Sequence, residues 1–416
     1  MNLRNFKLFF LAFAVVPLIA ACRNKQKEKD GFIKDNVEFA IAQTDKMLQA
    51  VGEPTGKNYP RTINNKGELV NTGMYDWTPG FFPGSLWYLY ELTGDTKWKD
   101  VAEKWTESLE PLKTFTGHHD LGFMMYCSYG NADRLAPKPG YKEILIESAN
   151  SLSTRFNEKT RTIKSWNYRK AWNGTTEWFY PVIIDNMMNL EMLFYASKIT
   201  GDKKYYDIAV KHSDSTLKNH FREDFSAYHV VDYDTITGKV LSRATCQGFS
   251  DNSTWSRGQA WAIYGYTMVY RETKDAKYLD AAIKATELYL KNLPEDLVPL
   301  WDFNAGEAGY LPEGKSYAVK FQKKLRDASA AAIVCSALFE LGEYANRPEY
   351  VDYAVKMLYS LASPAYRAAS DSNIDFLLMH SVGSIPHKSE IDKPLVYADY
   401  YFLEALTRYK NLGSKK

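Results

Sequence analysis

The chain has 416 residues, enough to bury a substantial core. Its 52 basic and 50 acidic residues leave a net charge of +2, which excludes the strong one-sign field of a nucleic-acid or membrane-surface binder. Aromatic residues make up 15%, with 30 Tyr and 10 Trp, more than helix seams alone need; the surplus suits a cleft that stacks on sugar rings.

At the N-terminus, Arg4 and Lys7 precede an apolar run from Leu8 to Ala21. The run is too short for a typical membrane span and has the layout of a secretory signal. It ends in LIAAC, Leu18 to Cys22, the form of a bacterial lipobox in which the cysteine takes the lipid. The expectation is a signal peptide over residues 1–21, a lipidated polar tether over 22–33 and one domain over 34–416. Such a protein is exported and faces the periplasm, held to the membrane only through Cys22. Cys127, Cys246 and Cys335 remain; none forms a CxxC pair, so neither a disulfide framework nor a zinc site is expected.

Helical periodicity dominates the rest, and a degenerate repeat runs through it. TGDTKWKDVAEK begins at Thr93, TGDKKYYDIAVK at Thr200 and TKDAKYLDAAIK at Thr273; ANRPEYVDYAVK begins at Ala345, and KPGYKEILIESA from Lys138 is a weaker copy. Each follows an apolar helix, turns on Gly, Asp or Pro, and opens a second helix, with the aspartates of GD and KD as caps. With DNVEFAIAQTDKMLQAV at the start and ADYYFLEALTRYKNL at the end, six helical hairpins are predicted. Their irregular spacing fits a closed toroid better than a solenoid of strict period. The predicted fold is therefore all-α, an (α/α)6 barrel with short β-hairpins in its cleft loops. Those loops are aromatic: TIKSWNYRKAWNGTTEWFYP, LWDFNAGEAGYLPEGKSY, and a long insertion containing YHVVDYDTITG, which predicts a hairpin.

Four places carry chemistry. In GHHDLGF, Asp120 is either a helix cap or a functional carboxylate. His118, His119 and Asp120 are competent metal ligands, but adjacent histidines do not easily face one ion. In FYPVIIDNMMNLEML, Asp185 lies among apolar residues, either as an N-cap or on a helix face with Met188, Asn189 and Met192. A carboxyl there is desolvated and its pKa rises, the setting of a general acid. His229 lies in the hairpin insertion. In DNSTWSRGQAWAIYGY, Arg257 stands near Trp261; it either forks onto a carboxylate or sugar, or heads a solvated helix.

Five stretches in order resemble glycoside hydrolase family 88, the unsaturated glucuronyl hydrolases: YDWTPGFFPGSLWYLY from Tyr75, HHDLGF from His118, IIDNMMNLEML from Ile183, YHVVDYDTITG from Tyr228 and DNSTWSRGQAWAIYGY from Asp251. The resemblance implies an (α/α)6 barrel, no metal or other cofactor, and removal of 4,5-unsaturated glucuronic acid from oligosaccharides made by polysaccharide lyases. It implies that Asp185 is the acid/base and Asp120 its essential partner, with substrate-binding roles for Trp77, His229, Gln247, Arg257 and Trp261. Unsaturated uronic-acid oligosaccharides are then the partners, and nucleic acid is not. Two alternatives stay open on the residues: an unsaturated rhamnogalacturonyl hydrolase acting on pectin fragments, and a sugar-binding lipoprotein without catalysis.

Overall fold

The computed structural model describes residues 4–369 and 375–413, with the backbone alone for 4–25. Cys22, the expected lipidation residue, therefore has no described side chain, and residues 1–3 of the expected signal peptide lie outside the described residues.

Among the described residues, thirteen α-helices form a double ring. The inner ring contains α2 (Phe81–Thr93), a broken third element, α7 (Leu190–Thr200), α9 (Ser256–Thr273), α11 (Ala328–Tyr344) and α13 (Val396–Asn411). The broken element is α4 (Leu121–Met125), a π-helical turn over Tyr126–Gly130, and α5 (Asn131–Leu135). The outer ring contains α3 (Thr96–Glu107), α6 (Tyr141–Ser153), α8 (Lys203–Asn219), α10 (Ala276–Lys291) and α12 (Pro348–Leu361), with α1 (Arg4–Val51) as the sixth member against α2 and α13. Inner neighbours pack in sequence, and α13 closes on α2. This is the predicted (α/α)6 barrel.

The repeat grammar has a direct structural cause. Helices α2 and α7 end on Gly94 and Gly201, each with positive φ, and Asp95 and Asp202 then accept from the second backbone N–H of the outer helix. Asp275 does the same for α10, after Lys274 has taken the left-handed position with φ 56°. Glycine is the residue for which that conformation is least costly, so TKD is the strained copy of TGD.

A buried polar ring ties the inner helices together. Glu404 on α13 accepts from Tyr88 of α2, Tyr264 of α9 and Ser336 of α11 at 2.8, 2.9 and 2.5 Å. Glu340 on α11 pairs with Arg271 of α9 at 3.1 Å and Arg408 of α13 at 3.0 Å, and Arg271 also reaches Glu191 on α7.

Small strands fill the loops at one end. They are β1 (Tyr59–Ile63) with β2 (Leu69–Thr72), β3 (Phe156–Asn157) with β4 (Thr162–Ile163), β5 (Arg169–Lys170) with β6 (Glu177–Trp178), the three-stranded sheet β7 (Pro181–Ile183), β8 (Val230–Tyr233) and β9 (Val240–Ala244), and β10 (Ser381–Ser384) with β11 (Ser389–Lys393). The predicted hairpin is β8–β9; its turn is held by Asp234, whose carboxylate accepts from Ile236 and Thr237.

The ring is sealed by contacts between its two ends. Arg61 on β1 meets Glu390 on β11, Thr62 Oγ1 donates to the Pro394 carbonyl at 2.7 Å, and Lys29 Nζ donates to the Leu412 carbonyl at 3.0 Å. The last contact corrects one boundary. The stretch 22–33 is not a free tether throughout: Phe32 stacks on Tyr359 with centroids 3.9 Å apart and Ile33 is buried, so the packed domain begins before residue 34.

Candidate active site

Strand pairing brings the site together. Strand β7 pairs antiparallel with β8 so that Ile183 opposes Val230, and the Ile184 N–H donates to the His229 carbonyl at 3.0 Å. Asp185 and His229 are thereby neighbours although 44 positions separate them. Past the strand the chain winds into a 3₁₀ segment, Ile184–Asn189, before α7 starts. Asp185 is in its first turn, and the residue at the N-cap of α7 is Asn189. Both sequence expectations for Asp185, an α-helical N-cap or a place on the α-helix face, are corrected by this segment.

Three glycines seat the segment. A Cβ on Gly122 of α4 would lie 2.4 Å from Asn189 Cα, one on Gly265 of α9 would lie 2.5 Å from Met187 Cβ, and one on Gly258 would press on Trp255 at 2.7 Å and Ile184 at 3.3 Å. Asn189 Oδ1 also accepts from the Phe123 N–H at 2.9 Å, which locks the HHDLGF segment to the 3₁₀ turn.

Asp185 is buried, and burial lifts its pKa to about 7. Arg257 and hydrogen bonding from Trp261 pull it down, whereas the charge of Asp120 pushes it further up. Asp120 behaves in the opposite way. Burial raises its pKa, but His119 and His118 outweigh this and hold it below the usual carboxylate range. Burial keeps His119 itself down at about 4, whereas for His118, 3.1 Å from Asp120, the hydrogen bond and charge of that carboxylate outweigh burial and raise the pKa. Asp120 precedes α4, yet its side chain makes no cap hydrogen bond, which removes the capping explanation. The result is two carboxyl groups in electrostatic contact with pKa values driven apart, the arrangement that separates acid and base roles.

The histidine tautomers follow from their partners. His229 Nδ1 accepts from the backbone N–H groups of Cys246 and Gln247 at 3.0 and 3.1 Å, so its proton is on Nε2. Burial drives its pKa well down, so it faces Asp185 as a neutral donor and the 3.7 Å approach is not an ion pair. His119 Nδ1 lies 3.2 Å from Ser165 Oγ, which itself accepts from the Ile183 N–H. Asp185 Oδ2, His229 Nε2 and His119 Nε2 are all buried without a hydrogen-bond partner among the described residues. Unsatisfied buried groups are costly, and Asp185 Oδ2 and His229 Nε2, 3.7 Å apart, mark a place built for a polar ligand.

The other sequence candidates divide. Trp77 packs on Tyr397 with centroids 4.8 Å apart and on Phe123, half-buried at the site. Gln247 joins through its N–H to His229 and its side chain donates to the Gly383 carbonyl at 3.4 Å. Trp261 is buried against Phe123 and Tyr401, so it serves Asp185 from behind and is not an open stacking face. Arg257 is not a free fork. Its guanidinium bonds Asp327 at 2.8 Å and the Val382 and Gly383 carbonyls, and lies over Trp255 at 4.5 Å.

Asp327, Trp255, Tyr397, Arg169 and His387 were not singled out from sequence. Trp255 lies within a quoted motif and Arg169 within the quoted aromatic loop; the remaining three lie outside the quoted stretches and are brought in by tertiary contacts.

A family model described as Glycosyl Hydrolase Family 88 matches residues 55–307. The chain belongs to glycoside hydrolase family 88. The family 88 chain is 46% identical to an unsaturated glucuronyl hydrolase of Formosa agariphila, with 99% of each covered. It is 34% identical to an unsaturated chondroitin disaccharide hydrolase of Streptococcus agalactiae over 90% of this chain and 92% of that one. A crystal structure of an unsaturated glucuronyl hydrolase specific for heparin superposes with a TM-score of 0.84 at 41% identity, over 93% of this family 88 chain and 99% of the other.

Proposed function

We propose that this protein removes 4,5-unsaturated glucuronic acid from the non-reducing end of lyase-generated oligosaccharides of the glycosaminoglycan type. The observation that carries the reading is Asp185: a buried carboxyl with its pKa lifted to about 7 and with Oδ2 left unpartnered 3.7 Å from His229 Nε2.

The chemistry uses that proton. The substrate's C4=C5 double bond is an enol ether. Asp185 gives its proton to C4, and an oxocarbenium ion forms across C5 and the ring oxygen. Water adds to C5 and returns a proton to the Asp185 carboxylate, so one group acts as acid and then as base. The hemiketal opens by breaking the bond between C5 and the ring oxygen, leaving a ketone at C5 and a hydroxyl at C1. The C1 substituent then departs. Asp120 keeps a negative charge near Asp185 and so keeps the proton on it. His229 Nε2–H, fixed as a donor, orients the water or a substrate oxygen.

Loss of the ultraviolet absorbance of the conjugated double bond, followed on unsaturated disaccharides, tests the activity directly. No bleaching by the intact protein would end this reading and favour a sugar-binding protein.

The same proposal places the protein outside the cytoplasm, facing the periplasm, with an acyl chain on Cys22 as its only membrane attachment; the LIAAC stretch supports this. Replacing Cys22 with Ala should move the protein from the membrane to the soluble fraction. Unchanged fractionation would refute the anchor.

A further inference from the structure

Asp302 lies in the connection between α10 and α11, wholly buried, and the chemistry proposed above does not use it. Its Oδ2 accepts from the Phe249 N–H at 2.8 Å and from Ser253 Oγ at 2.7 Å, and its Oδ1 accepts from the Asn304 N–H at 3.0 Å. Burial lifts its pKa to about 6 and these donors pull it back, so the group is an anion at neutral pH. Arg222 bears on it less than the donors do, since its Nη2 is committed to the Asp251 and Ser253 carbonyls at 3.0 and 3.1 Å. Keeping a buried charge on neutral donors is costly, and two of these donors belong to one loop, 245–253.

That loop is the one that meets His229. It has neither helix nor strand of its own, so its backbone N–H groups need partners elsewhere. The Thr245 N–H donates to Asp251 Oδ1 at 2.7 Å, the Gly248 N–H to Thr245 Oγ1 at 2.8 Å, and the Phe249 N–H to Asp302. Between these anchors stand the Cys246 and Gln247 N–H groups, which converge on His229 Nδ1. The turn is pressed onto the carboxylate itself: a Cβ on Gly248 would lie 2.6 Å from Thr245 Oγ1 and 3.1 Å from Asp302 Oδ2. Asp302 reaches His229 by a second route as well. Its backbone bridges Trp255, whose ring lies against the His229 ring with centroids 4.6 Å apart.

A neutral amide cannot reproduce this arrangement. An amide side chain has one acceptor oxygen, so either the Phe249 or the Asn304 N–H would face its NH2 group.

We infer that Asp302 is a positioning residue: it holds the 245–253 loop so that the Cys246 and Gln247 N–H groups stay on His229 Nδ1 and the His229 Nε2–H faces Asp185. The inference rests on the proposed glucuronyl hydrolase activity, in which that N–H orients the water or a substrate oxygen.

The test uses the full chain. Asp302→Asn should lower kcat on an unsaturated glucuronyl disaccharide about tenfold and change KM less than about threefold. In a His229→Gln background the same replacement should lower the residual kcat less than about twofold, because the group it acts through is already gone. Amide hydrogen exchange, read by mass spectrometry without substrate, should speed up in peptides covering Cys246 and Gln247 while the β8 strand, Val230–Tyr233, keeps its protection. If the Asn variant does not fold, Ser253→Ala carries the same test; it removes one donor and should shift kcat and exchange in the same direction, by about threefold in kcat. An equal loss of kcat in both backgrounds would overturn the assignment, because it would make Asp302 a general support of the fold. Unchanged kcat, or unchanged exchange at Cys246 and Gln247, would overturn it as well. Wild-type failure to bleach any disaccharide would strike the functional reading instead, and the exchange result would still decide whether Asp302 holds the loop.

Discussion

Asp185 Oδ2 and His229 Nε2 face each other 3.7 Å apart, and neither has a hydrogen-bond partner among the described residues. The gap is too long for a hydrogen bond and is bounded by a donor whose tautomer is fixed. Removing the proton from this pair should therefore stop chemistry without emptying the site. Asp185→Asn is expected to lower kcat by roughly 10³-fold or more while KM stays within a few-fold, since general acid–base catalysis supplies about 10²–10⁴. Steady-state bleaching kinetics check it; wild-type turnover in the variant would refute the assignment.

The pH profile has a definite sign. Asp185 must be protonated to act, and its pKa is about 7, so kcat/KM should fall as pH rises through that value. Asp120 is one of the charges that raise it. Asp120→Asn removes that charge and should move the alkaline limb to lower pH, besides any loss of rate. A limb that stayed put or moved up would mean that Asp120 does not tune Asp185.

Gly122 is a second point of attack, in the segment that carries Asp120. A methyl group there meets the Asn189 backbone at 2.4 Å and cannot be relieved by turning a side chain. Gly122→Ala should push the HHDLGF segment off the 3₁₀ turn and cost about 1–3 kcal/mol of stability. Activity should drop more than thermal stability suggests, measured as kcat well below the melting range.

Arg257 and Asp327 form a pair that is almost wholly inaccessible, with side chains 1% and 0% exposed. Arg257→Ala strands Asp327, which also caps α11 through Ser329 and Ala330. A loss of about 3–5 kcal/mol is expected from breaking such a pair, and Asp327→Asn in the same chain should recover part of it. Chemical denaturation of the two single variants and the double variant measures the coupling. Additive effects would show that the two residues act separately.

Acid sensitivity should trace in part to Glu340. Burial raises its pKa, but Arg271 and Arg408 outweigh burial and hold it at about 2. A depressed carboxylate adds stability above its unfolded pKa near 4.5 and loses it as pH falls towards 2. Glu340→Gln should thus melt well below wild type at pH 7, with the gap narrowing between pH 4.5 and pH 2. A pH-independent gap would locate the stabilisation elsewhere.

Much of this molecule is legible before any coordinates exist. The hairpins were readable because some of their turns have a local cause: a left-handed glycine followed by a capping aspartate, as at Gly94–Asp95 and Gly201–Asp202. Asp185 was readable because its neighbours are apolar. The 3₁₀ winding was not, since it comes from Asn189 and Met187 pressed against glycines of two other helices. Arg257 stands out in its motif but its partner Asp327 is 70 positions away, and Arg169 finds His387 218 positions away. Such pairings are made by the closed ring and leave no periodic trace in the chain.

The sealing contacts have a consequence for how the molecule is made. Arg61 waits for Glu390, Thr62 for Pro394 and Lys29 for Leu412, so the seam joins the first hairpin to the last. At a synthesis rate of roughly 5–20 residues per second, the α2 face is out for tens of seconds before α13 exists to cover it. Until then every growing intermediate is an open arc with two apolar flanks, and the circle becomes a single cooperative object only when its final helix arrives.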